Sequence, residues 1–106
     1  MASVMKLVIL LSMSVLMSAP LYAADGKTLY QTKFCSTCHG VKGKALVPNY
    51  PSLVGQNAKY MSAQVKDILS GVRKTNMTIL MSNNPVIKNL TEKELTAITE
   101  YIANPN

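Results

Sequence analysis

Both cysteines and the single histidine of this 106-residue chain fall within five consecutive positions, Cys35-Ser36-Thr37-Cys38-His39. No other feature constrains the fold as much. On a tight helical turn, residues three and four apart share a face, so this spacing gathers two thiols beside one imidazole. Three chemistries use such a cluster. A redox-active CxxC disulfide belongs to a thioredoxin-like fold, which needs strand–helix alternation and more chain than this. A structural zinc site needs four ligands, and Cys and His together supply three. The remaining chemistry is covalent attachment of a c-type haem. There the two thiols form thioethers to the vinyl groups on one porphyrin edge, and the adjacent imidazole becomes the proximal iron ligand. The residues point to haem c.

That chemistry requires export, and residues 1–23 read as an export signal. Lys6 precedes the apolar run Leu7–Met17, followed by Pro20 and by Leu21-Tyr22-Ala23, with small Ala23 suited to the position before a cut. The run is eleven residues long, against the ~20 needed to span a bilayer. No Cys sits at the cut to accept a lipid. The expected division is a cleaved secretory signal peptide over 1–23 and one domain over 24–106, working in the periplasm with no membrane span.

A mature domain of about 83 residues is marginal on an apolar core alone and usually relies on a disulfide, metal or cofactor. Its inventory is thin: one Phe, four Tyr, three Met and a scatter of Leu, Ile and Val. Something else fills the middle. Without Lys6, ten basic side chains face five acidic ones, a net of +5. The Arg density, aromatic interleaving and basic amphipathic helix needed for nucleic-acid or membrane binding are absent from the sequence.

Three helices are legible. The first starts at Asp25, a suitable N-cap, and runs through Phe34 into the CxxCH turn, with Leu29, Tyr30 and Phe34 on one face. The second covers Ala58–Ser70 between Asn57 and the terminating Gly71. Met61, Val65, Ile68 and Leu69 form its apolar stripe, which makes Met61 core rather than ligand. The third starts at Thr91, spaced to Glu94 as in a capping box, with Leu95, Ile98 and Ile102 on one face and Pro105 at its end. Gly40–Gln56 and Arg73–Leu90 are long, punctuated loops suited to wrapping a flat apolar ligand. No stretch alternates like a strand. The fold class is all-α.

Across residues 25–103 the chain resembles a class I cytochrome c of the small soluble single-haem bacterial type. Gly26 and Tyr30 match the family's first-helix positions, and Ile98 and Tyr101 the last-helix positions, where the two helices cross. Pro51-Ser52-Leu53-Val54-Gly55 matches its P-x-L-x-G stretch. The resemblance implies three main helices plus loops wrapped around one covalent haem. It implies that the Pro51 carbonyl orients His39, with Pro48 the second choice, and that a methionine before the last helix is the sixth iron ligand. Met81, ten residues before Thr91, is the first choice, and Met77 the second. Unligated methionines would instead leave an open iron, as in a ligand-binding haem sensor.

His/Met ligation favours Fe(II) and leaves no coordination position for a substrate. With no paired carboxylates and no nucleophile–base dyad, the expected role is electron transfer rather than enzyme catalysis. The reading is a monomeric carrier cycling between Fe(III) and Fe(II). Lys33, Lys42, Lys44 and Lys59 would steer it to redox partner proteins with acidic docking faces. The alternative is a dedicated haem c subunit or partner of a larger oxidoreductase complex, for example in sulfur-compound oxidation or at a terminal oxidase.

Overall fold

A computed structural model describes residues 25–106; the signal peptide read over 1–23 and its boundary at Ala24 lie outside the described residues. Among the described residues every regular element is helical: α1 (Gly26–Thr32), α2 (Cys35–His39), a 3-10 turn (Val41–Gly43), α3 (Ala58–Ser70), α4 (Thr78–Ser82), α5 (Pro85–Lys88) and α6 (Glu92–Ala103).

Local chemistry sets the starts of the long helices. The Asp25 carboxylate accepts the Thr28 N–H at 2.7 Å, and the Asn57 side chain accepts the Tyr60 N–H at 3.0 Å. Thr91 and Glu94 form a reciprocal capping box: the Thr91 hydroxyl accepts the Glu94 N–H at 3.1 Å, and Glu94 Oε1 accepts the Thr91 N–H at 2.9 Å. Each satisfies backbone donors that the helix itself leaves unpaired. Gly71 ends α3 in the left-handed conformation, φ 84°.

The core sits where α1 and α6 cross and α3 packs against α6. Leu29, Tyr30, Met61, Ile98 and Ile102 form one buried cluster, with Cys35, Leu53 and Leu90 against its edge. A Cβ on Gly26 would lie 2.1 Å from the Ala97 carbonyl oxygen and 2.7 Å from Tyr101 Cβ. Only glycine allows the two backbones to come this close. Tyr30, 1% exposed, packs a tilted ring 5.6 Å from that of Tyr101. Such a pair adds roughly 0.5–1.5 kcal/mol beyond its area burial. Across the α3–α6 contact, the Ser62 and Thr99 hydroxyls meet at 2.9 Å.

Two expectations from the sequence require correction. The first helix does not continue into the cysteines. It closes at Thr32, Phe34 takes the left-handed conformation (φ 67°), and the chain restarts as α2. Phe34 is 52% exposed and leaves the face shared by Leu29 and Tyr30. A left-handed residue redirects the backbone, so helical spacing counted across it no longer describes one face. The second correction concerns 73–90, which contains α4 and α5 rather than continuous loop. Thr75 and Thr78 exchange hydrogen bonds of 2.7 and 3.2 Å ahead of α4. Asn84 caps α5 through the Val86 and Ile87 N–H groups, and Pro85 presets the first helical φ. Burial of Ile87 anchors the segment.

Candidate haem-binding site

Helix α2 is one and a half turns of chain carrying all the sulfur and imidazole chemistry of the site. Cys35, Cys38 and His39 stand at positions i, i+3 and i+4, hence on one face. Both thiols are free. Cys35 is half-buried at the edge of the core and Cys38 is exposed, so one sulfur is anchored and the other is open to the surface. Before attachment, burial pushes the Cys35 thiol up to about 11.

The imidazole is fixed from outside its own helix. His39 Nδ1 lies 3.1 Å from the Pro51 carbonyl oxygen. A carbonyl can only accept, so Nδ1 carries the proton and Nε2 keeps its lone pair for a metal. Pro51 is itself held by a short backbone ladder. The Leu53 and Val54 N–H groups donate to the Gly43 carbonyl at 2.7 and 3.2 Å, and the Gly55 N–H donates to the Ile102 carbonyl in α6 at 3.0 Å. The Ser52 hydroxyl accepts the Ala45 N–H at 3.1 Å, closing the loop across its middle. Pro48 is exposed and the imidazole bonds to Pro51.

Gly40, directly after His39, adopts φ 79°, and a Cβ there would lie 1.9 Å from the Lys44 carbonyl oxygen. Only glycine fits. Its own carbonyl accepts a 2.5 Å hydrogen bond from the buried Tyr30 hydroxyl. Sequence reasoning assigned Tyr30 to the helix crossing and missed this bond. A glycine immediately after the histidine was the available signal, because it marks a sharp backbone turn needing a tertiary partner. Burial raises the Tyr30 hydroxyl to about 12, keeping it protonated as a donor.

Of the two candidate methionines, Met81 lies within α4 and is half-buried, whereas Met77 caps that helix and is 46% exposed. Helix α4 therefore gives Met81 the more defined backbone. Among the lysines, Lys42, Lys44 and Lys59 are exposed, but Lys33 forms an ion pair with Glu94 at 3.4 Å. Sequence spacing could not show that pairing, because its partners are 61 positions apart.

The arrangement fits a planar, apolar, covalently held iron macrocycle. Two free thiols and one imidazole share a face, and the imidazole presents an unprotonated nitrogen. The flanking segments also leave large apolar side chains uncovered, among them Leu46 (89% exposed) and Leu80 (63%), with Val47, Val54 and Tyr60. A helical fold with this attachment face defines the class of covalent haem c proteins.

Comparison with known proteins agrees. The cytochrome c family model matches residues 23–105, so the chain belongs to the cytochrome c family. It is 34% identical over 70 residues to cytochrome c-554(548) of Halomonas halodenitrificans, covering 66% of this chain and 82% of that one. Against cytochrome c4 of Pseudomonas aeruginosa it is 32% identical over 101 residues, 93% of this chain but 48% of the relative. It is also 34% identical over 70 residues to a thiosulfate dehydrogenase electron acceptor of Stutzerimonas stutzeri, 66% of this chain and 32% of that protein. The chain thus spans about half the length of one relative and a third of another. The cofactor is a covalently bound haem c, and the chain is an electron-transfer protein of that family. No helix of the described residues is long and apolar enough to cross a membrane.

Proposed function

We propose that this chain is a periplasmic one-electron carrier, exported through residues 1–23 and working as a monomer. Cys35 and Cys38 would hold the haem through thioethers, and His39 and Met81 would ligate its iron. Bound there, the haem would supply a one-electron Fe(III)/Fe(II) couple for exchange with donor and acceptor proteins. The observation that carries this reading is the 3.1 Å contact between His39 Nδ1 and the Pro51 carbonyl, which favours the neutral tautomer with its proton on Nδ1 and its lone pair on Nε2. The chain's own contacts hold the imidazole's acceptor in place, the Gly43 carbonyl accepting the Leu53 and Val54 N–H groups that follow Pro51. Exposed Lys42, Lys44 and Lys59 present positive charge to acidic faces on partners.

The test is an optical spectrum of the purified protein, oxidised, reduced and as its pyridine derivative, after expression beside a working haem-attachment apparatus. Low-spin spectra with a haem c pyridine product are expected, and haem should stay with the polypeptide through acid-acetone extraction. Colourless protein, or extractable haem, overturns the reading.

One observation favours a second reading. The relative from Stutzerimonas stutzeri is named for accepting electrons from thiosulfate dehydrogenase. A dedicated partner of a sulfur-compound oxidoreductase would co-elute with its larger enzyme on size exclusion, whereas a free carrier would elute alone.

A further inference from the structure

His39 is tethered at two points, and both tethers lead to the same place. On its backbone side, Gly40 is the next residue, and its carbonyl accepts the Tyr30 hydroxyl and the Gly43 N–H, at 2.5 and 3.3 Å. On its ring side, Nδ1 bonds to Pro51, and the residues two and three beyond it, Leu53 and Val54, donate to the Gly43 carbonyl. The Gly40–Gly43 turn is therefore the shared support of the imidazole's backbone and of its hydrogen-bond acceptor. Tyr30, whose ring is buried between α1 and α6 against Tyr101, ties that turn to the helical core through Gly40, beside the Gly55–Ile102 backbone bond that holds the Pro51 segment. We propose that Tyr30 is a positioning residue for His39: its buried hydroxyl, by bonding the Gly40 carbonyl, sets the orientation of the imidazole plane presented to the iron.

The physics is that of an outer-shell support. A ligand's orientation is only as well defined as the groups its other atoms bond to. Gly40 is the residue least able to define its own conformation, since glycine visits both signs of φ readily. Its φ of 79° is selected by what its carbonyl meets. Removing the Tyr30 hydroxyl leaves the ring in the core but frees the turn. The stacked ring maintains the fold; the oxygen maintains the ligand.

This inference rests on the reading of His39 as proximal ligand. The test compares Tyr30→Phe with Thr99→Val, both in the haem-loaded protein. Thr99→Val likewise removes one buried hydroxyl, but at the contact with Ser62 between α3 and α6. In the oxidised protein, the order of the haem-methyl NMR shifts and the EPR g-anisotropy report the plane of the axial imidazole. Both should change in Tyr30→Phe and stay at wild-type values in Thr99→Val. In the reduced protein, exchange of the His39 Nδ1 proton should accelerate at least several-fold in Tyr30→Phe alone. If Tyr30→Phe keeps the wild-type methyl order, g-values and exchange rate, the positioning role is wrong, and so it is if both variants change alike. If the wild-type haem protein itself shows no imidazole ring resonances shifted by the haem, the proximal-ligand reading fails, which is a separate result.

Discussion

At the residue scale, the sixth ligand is the sharpest open assignment, and the two candidates differ in their surroundings. Met77 has an exposed side chain at a helix cap, whereas Met81 is half-buried within α4. A thioether on the iron favours Fe(II) and blocks outside ligands. Met81→Ala should therefore abolish the weak sulfur-to-iron absorption at the red end of the oxidised spectrum. It should also lower the reduction potential and let the reduced protein bind carbon monoxide at neutral pH. Met77→Ala should leave all three unchanged. The reverse pattern would assign the ligand to Met77. Among single residues, the placing of Cys35, Cys38 and His39 on one helical face was legible because residues three and four apart on a helix share a face. The Tyr30–Gly40 bond was not, because it joins an aromatic residue to a main-chain oxygen ten positions away, and carbonyls leave no mark in a sequence.

At the scale of elements, helix starts were read correctly at Asp25, Asn57 and Thr91, each a side chain accepting the backbone N–H three residues on. The capping box of α6 has a pH consequence. The Thr91 backbone N–H, with Lys33 beside it, holds the Glu94 carboxyl below its ordinary value of 4.5. A carboxyl lowered in the folded state stabilises the fold fully above its unfolded value. That contribution is lost as pH falls through the lower folded value. Glu94→Gln keeps an oxygen to accept the Thr91 N–H but cannot titrate. Its stability to denaturant should fall less steeply below about pH 4.5 than that of wild type. Circular dichroism of the two proteins across pH 3–6 checks this, and parallel acid limbs would contradict it. Where the reading of the first helix failed, at Phe34, the cause is a backbone choice rather than a side-chain one. Phenylalanine rarely adopts φ 67°; past it, α2 is joined to the core by Cys35 packing and by the Tyr30 hydroxyl bonding the Gly40 carbonyl.

At the scale of the whole molecule, the packing within residues 25–106 is sparse. Among the described residues the main buried apolar cluster is five side chains, and large apolar groups on the 41–60 and 72–80 segments remain uncovered by protein. Such a domain depends on its cofactor. Cys38→Ala, which removes one thioether, should give a low yield of folded protein. Whatever is recovered should melt at a lower temperature and with less cooperativity than wild type. A Cys38→Ala chain that is free of haem yet melts cooperatively at the wild-type temperature would show that the polypeptide core suffices alone.

The amino-acid sequence by itself determined the chemistry, the helical class and the two longest helices. Each of these depends on residues close together along the chain: a pentapeptide, a cap, a repeating apolar stripe. Only tertiary structure decided which carbonyl orients His39 among two nearby prolines, where Phe34 turns the chain, and that Lys33 pairs with Glu94. Those outcomes depend on where distant segments meet. That meeting is set by the crossing of α1 and α6 at Gly26, a contact whose geometry no local pattern encodes.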